Sequence, residues 1–131
     1  MHTIKISAVG GELKIKKSKF VCTAKEVETR EDAIAFIEQV QKDNNKATHD
    51  AYAYRVGNPV FWEDSSDDGE PPGTAGVPIM NYLKGKNLTN VAVVVTRYYG
   101  GKKLGTGGLI RAYKGCAENL IEAVGIRALI K

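Results

Sequence analysis

The sequence has little of what several protein classes require. Its two cysteines, Cys22 and Cys116, lie far apart and make no disulfide framework, which fits a reduced, cytoplasmic setting better than secretion. His2 and His49 are the only histidines, so a multi-histidine zinc site is excluded. No apolar run approaches the ~20 residues that a membrane span needs. The longest strongly apolar run is Val91–Val95. Met1 to Ile6 has no charged region leading into an apolar stretch, so no secretory signal is visible. Internal repeats and dividing linkers are also missing. The 131 residues therefore read as a single domain, 1–131, large enough to bury one core.

What is present is ordinary in total and uneven in placement. Apolar residues make up 43% and charged residues 26%, as in most globular domains. A net charge of +4 is too small to identify a nucleic-acid binder by itself. From Lys84 to Lys131, however, nine basic residues face two acids, a net of +7. Residues 1–83 hold ten basic and thirteen acidic residues, a net of −3, with five of the acids inside Glu63–Glu70. The chain has one acidic knot and a basic C-terminal third.

Periodicity orders the elements. Glu12–Lys16 alternates at period two after a Gly10-Gly11 turn signal, and Ser18–Val27 follows with Phe20, Cys22 and Ala24 on one face. Thr29 caps a helix carrying Ala33, Ile34, Ile37, Val40 and Gln41 at helical spacing, which ends by Asn45. Asp50–Val56 alternates again, and Val60–Trp62 is a candidate hairpin partner. Glu63–Gly76, rich in acids, proline and glycine, reads as a long loop, followed by a short helix over Val77–Leu83. Val91–Val95 is an unbroken β-prone run, which predicts a strand buried on both faces. A helix is expected from about Leu109, with Leu109, Tyr113, Cys116, Leu120 and Val124 as its apolar stripe and Gly125 as its cap.

Between that strand and helix lies Gly100-Gly101-Lys102-Lys103-Leu104-Gly105-Thr106-Gly107-Gly108. A helix N-terminus presents unpaired N–H groups and partial positive charge, and glycines let an anion approach the backbone. Arg97 and Arg111 flank the loop, and Tyr98 and Tyr99 precede it. Tyrosine beside cation is what a stacking surface for single strands uses. The nearest nucleotide motifs fail. No Gly-Lys-Ser/Thr follows the glycines, and Gly105-Thr106-Gly107 meets Ile110 where a third glycine is needed. A tight turn with solvated lysines remains the alternative.

The acidic knot resembles no calcium loop, because Ala75 falls where a bidentate glutamate is required. It reads as a solvated loop or as an intramolecular partner for the cationic cluster. Cys116 with His49 makes a poor nucleophile and base, since Cys116 sits on an apolar helix stripe. No catalytic residue, resident metal or cofactor is assigned, and enzymatic activity is not favoured.

Three blocks, in order and well spaced, resemble the YigZ/Impact family. They are Lys46-Ala47-Thr48-His49 before Ala51–Arg55; Ser66, Asp67, Asp68, Gly69, Glu70 and Pro71 with Gly73, Thr74, Ala75, Gly76 and Pro78; and Val93–Gly101 running into Leu104-Gly105 and Gly108–Tyr113. Pro72 departs from the usual small polar residue. The resemblance implies an α+β fold like the second domain of ribosomal protein S5, with a four-stranded, mainly antiparallel sheet and helices on one face. It also implies a link to translation, which eukaryotic relatives regulate. Relatives carry further domains, and a chain ending at Ile130-Lys131 is expected to hold only the shared one.

The expectation is a binding domain that contacts RNA or a ribosome-associated protein. Its surface would be Arg97, Tyr98, Tyr99, Gly100, Gly101, Lys102, Lys103, Gly105, Gly107, Gly108 and Arg111. The alternative is a small phosphate-ligand protein or enzyme using the same loop, with magnesium on Asp67 or Asp68.

Overall fold

A strand apolar on both sides must be covered on both sides, and this requirement organises the molecule. The computed structural model of the chain describes residues 1–5 and 7–129, so Ile130 and Lys131 lie outside it. In chain order the elements are β1 (His2–Ile4), β2 (Ala8–Ile15), β3 (Ser18–Glu26), α1 (Arg30–Asp43), β4 (His49–Val56), β5 (Trp62–Ser66), α2 (Gly76–Gly85), β6 (Val91–Tyr98), α3 (Gly105–Val124) and β7 (Ile126–Ala128). The main sheet runs β2-β3-β6-β4-β5, antiparallel throughout, with β6 at its centre. β1 and β7 form a separate two-stranded ribbon.

The two faces of β6 point into two cores. Val91, Val93 and Val95 join Phe20, Cys22 and Ala24 of β3 and Ala51 and Ala53 of β4, beneath Ile79 and Leu83 of α2 and Leu109, Tyr113, Cys116 and Leu120 of α3. Ala92 and Val94 join Tyr54 and Val56 beneath Ala33, Ile37 and Val40 of α1. The alternation expected along β3 and β4 is therefore observed.

Two expectations are corrected. The sheet has five strands rather than four. Helices cover both faces rather than one, as the doubly apolar β6 demands. The fifth strand begins at Trp62, in the segment expected to return as a hairpin partner, and takes Glu63–Ser66 from the segment expected to be loop. Trp62–Ser66 pairs with β4 from Val56↔Trp62 to Tyr52↔Ser66, and its Glu-Asp-Ser-Ser run suits a solvated sheet edge. At the other edge, β2 passes through Gly10-Gly11 by a bulge instead of turning there. Two helices begin earlier than expected, α2 at Gly76 and α3 at Gly105. Thr29 caps α1 as expected, its hydroxyl accepting from the Asp32 N–H at 3.0 Å. Among the described residues, no helix is long and apolar enough to cross a membrane.

Candidate functional site

Register brings the distant blocks together. His49 opens β4 and pairs directly with Arg97 near the end of β6, on the face that α2 and α3 cover. The segment after β5 then closes over this corner. Asp67 clasps it: its carboxylate accepts from the N–H groups of Gly73 (2.9 Å), Ala75 (3.1 Å) and Gly76 (2.9 Å), the last being the first residue of α2. Burial draws the Asp67 carboxyl upward, but these three donors outweigh it and hold it below the usual carboxylate value. Asp68 accepts from the Asp50 N–H at 2.7 Å, and its own carbonyl faces His49 Nδ1 at 2.8 Å. Gly69 turns here with φ +90°, against the His49 ring.

The turn drives Glu70 inward. Its carboxylate is buried and accepts from Arg97 Nη1 at 2.8 and 3.0 Å and from the Tyr113 hydroxyl at 2.5 Å. His49 Nε2 lies 3.4 Å from the same carboxylate. Arg97 also donates from Nε and Nη2 to Ser18 Oγ, each at 3.3 Å. Burial, then the bond to Glu70, pushes the Tyr113 hydroxyl well above its ordinary value. The network supplies partners for every charge it buries, as a low-dielectric interior requires.

Above the network opens a cleft of about 440 Å³, lined by Thr48, His49, Glu70, Pro71, Arg97, Tyr99, Lys103, Leu104, Gly105, Thr106 and Leu109. The amino end of α3 forms one wall. Leu104 at its N-cap gives no side-chain hydrogen bond, and its first turn holds no acid. The first-turn N–H groups and the positive end of the helix dipole are therefore left uncapped at the cleft. Lys102, Lys103 and Arg111 are exposed around this end.

The glycines divide by role. Gly100 packs on the β2–β3 turn so closely that an added Cβ would sit 2.0 Å from the Lys17 carbonyl oxygen. Its N–H donates to Ser18 Oγ at 3.2 Å. Gly101 and Gly105 have φ of +87° and +76°, where glycine is favoured. Gly107 and Gly108 belong to the first turn of α3, Gly108 against Leu104.

Not every expected residue is free to take a ligand in this cleft. Arg97 was expected to take an external anion, but its guanidinium is buried and committed to Glu70 and Ser18. The acidic segment is thus an intramolecular partner for a cation at Glu70. Tyr98 turns to the α1 side, where its hydroxyl donates to Asn44 Oδ1 at 3.0 Å. Tyr99 is exposed, with the Arg97 guanidinium 5.2 Å from its ring centre. Gly73, Thr74, Ala75 and Gly76 build the entry to α2. Thr74 donates to the Pro71 carbonyl, and a Cβ on Gly76 would sit 2.7 Å from the Ser66 carbonyl oxygen.

Asp67 and Asp68 spend carboxylate oxygens on backbone amides, which suits a clasp more than a cation site. Cys116 lies in the core, donating to the Gly11 carbonyl, and burial pushes its thiol up to about 12. It is no poised nucleophile.

Ser18, Thr106, Lys16 and Lys17 join the site only with the structure, and Thr48 and Tyr113, read from sequence only within motif blocks and a helix stripe, take their places at the site only here. One signal was legible. A tyrosine on an apolar helix stripe must find a partner for its hydroxyl. The lysine turn becomes relevant only once Gly100 is seated on it.

Comparison with known proteins places these features in a family. The Impact N-terminal domain profile matches residues 16–121. IMPACT family member YvyE of Bacillus subtilis is 44% identical over 115 residues, covering 88% of this chain and 53% of that protein. IMPACT family member YigZ of Escherichia coli is 44% identical over 106 residues, covering 77% and 50%. The chain thus spans about half the length of these relatives. A solved structure described as a hypothetical protein superposes with a TM-score of 0.89 at 34% identity, covering 96% of this chain and 62% of that one. The two-domain translational regulator Yih1 superposes with a TM-score of 0.63 at 24% identity, covering 92% and 46%, a likeness of fold.

Proposed function

Because the chain belongs to the family of the Impact N-terminal domain, we propose that it is a translation-associated binding domain. It contacts RNA or a ribosome-associated factor through the basic glycine-rich loop at the amino end of α3. The translational part rests on the family. The contact surface rests on one observation, the seating of Gly100 on the Lys17 backbone. That contact sets the exposed Lys16 and Lys17 of the β2–β3 turn beside the loop bearing Lys102 and Lys103. Four lysines gathered around the loop that leads into an uncapped helix end make a local anion trap, with exposed Tyr99 available for stacking.

Phosphate contacts make affinity salt-dependent. Each contact to a single strand contributes about −0.7 to the slope of log affinity against log salt. Anisotropy titrations of a labelled single-stranded RNA at stepped salt test the reading. Lys102→Glu with Lys103→Glu should flatten the slope and weaken binding. Binding that ignores salt, or survives this charge reversal, rejects the proposal.

The concavity of the 440 Å³ cleft favours a second reading, a small phosphorylated ligand at the same helix end. Thermal stabilisation by a mononucleotide, with none from RNA, would select it.

A further inference from the structure

The sheet edge opposite the basic turn is open. β5 pairs with β4 on one side only, and among the described residues no strand lies on its other side. The aromatic pair at its start stands in solvent, Phe61 76% and Trp62 54% exposed. Trp62, Asp64 and Ser66 share the face of Tyr52 and Tyr54, alongside α1. Between α1 and β5 runs a groove made of two adjoining cavities of about 280 and 390 Å³ that share Arg30. It therefore presents an apolar end, a polar floor and a strand edge with no outer strand, on which the Ser65 N–H donates to Asp64 Oδ1 at 2.8 Å.

The charge along this groove is one-sided. Glu28, Glu31, Glu38, Asp64 and Asp68 line it. Among the described residues, none of the five has a cation within ion-pair distance. The single lining cation, Arg30, is already used: it stands 5.2 Å from the Trp62 ring centre and donates to the Tyr54 hydroxyl at 3.3 Å. An RNA backbone would meet repulsion here. A segment bearing Lys or Arg at alternate positions would meet carboxylates along one face, while its backbone extends the sheet.

We infer that the open edge of β5, with Phe61 and Trp62 as apolar anchors, is a docking site for an extended basic segment of a partner protein. The segment adds as an outer strand, its cations over the α1–β5 groove on the face of Trp62 and Asp64, and an apolar end against the aromatic pair. This surface is separate from the lysine-bearing loop, so protein and anion can be held at once.

Trp62 is the only tryptophan, so its emission reports directly on this edge. The whole chain is titrated with a short peptide of alternating lysine and valine, then with its glutamate and valine counterpart, then with polyuridine. The proposal expects a saturable change in Trp62 emission from the lysine peptide alone. Glu31→Lys with Asp64→Lys, both exposed, should weaken it about tenfold, a loss of ~1.4 kcal/mol. Phe61→Ser, checked for unchanged melting, should weaken it independently of charge. The inference is overturned by any of four results: no saturable change, an equal response to the glutamate peptide, a response to polyuridine, or self-association of the chain through β5 in sedimentation. An RNA titration that fails while the lysine peptide binds would count against the loop and leave this edge standing.

Discussion

Glu70 and Arg97 meet as a buried ion pair in which Arg97 Nη1 donates to both carboxylate oxygens, at 2.8 and 3.0 Å. The pair ties the acidic segment to the end of β6 and forms the floor of the cleft. It also explains why a cation expected to bind outward faces inward.

Breaking that pair from one side should be costly. Glu70→Ala leaves the Arg97 guanidinium buried without its counter-ion, and the loss expected is about 3–5 kcal/mol. Glu70→Ala combined with Arg97→Met should cost less than the two single changes added together. Urea denaturation of the three variants measures both.

Asp67 should give stability with a defined pH signature. Its folded carboxyl is held below the ordinary value, net of the burial that opposes this. The stabilisation is therefore fully present above the unfolded value of ~3.9 and is lost as pH falls through the lower folded value. Asp67→Asn should lower stability at neutral pH, because a neutral amide replaces a carboxylate that accepts from three N–H groups. The gap between the two proteins should close on acidification below about pH 4. Thermal melts across an acid series would show a constant gap if the carboxylate charge plays no part.

Gly100→Ala should prevent the close seating of the loop on the β2–β3 turn. A Cβ there would lie 2.0 Å from a backbone oxygen, which has no flexible end to move aside. The expected outcome is a lower melting temperature together with displaced amide resonances at Lys16 and Lys17. Gly101→Ala meets open space but carries φ of +87°, so it should cost backbone strain without moving that turn.

The two thiols should be silent in the folded protein. Cys22 and Cys116 are both buried, burial pushes Cys116 up to about 12, and it raises Cys22 as well. A colourimetric thiol reagent in mildly alkaline buffer should find neither until denaturant is added. Rapid native labelling of Cys116 would contradict the packing of α3 on β2.

Much of this architecture is written in local patterns. The period-two alternation of β3 and β4, the helical spacing of α1 and α3, and the Thr29 cap depend on neighbours a few residues away. Such patterns survive without knowledge of the fold. The doubly apolar Val91–Val95 even implied cover on both faces, which the S5-like expectation of helices on one face had set aside. The β-character of Glu63–Ser66 is hidden from local pattern, because an edge strand is free to carry the acids and serines of a loop.

The candidate site was legible as an inventory and illegible as an arrangement. Composition and order alone determined that the chain carries a basic glycine loop before a helix, an acidic segment and the three motif blocks. Only the tertiary structure decided which charge meets which. The pairing of His49 with Arg97, the burial of Glu70 beneath Tyr113, and the contact of Gly100 with Lys17 join residues that local periodicity cannot relate. Coulombic and packing terms depend on distance in space, so the sheet register settles what each of these side chains can do.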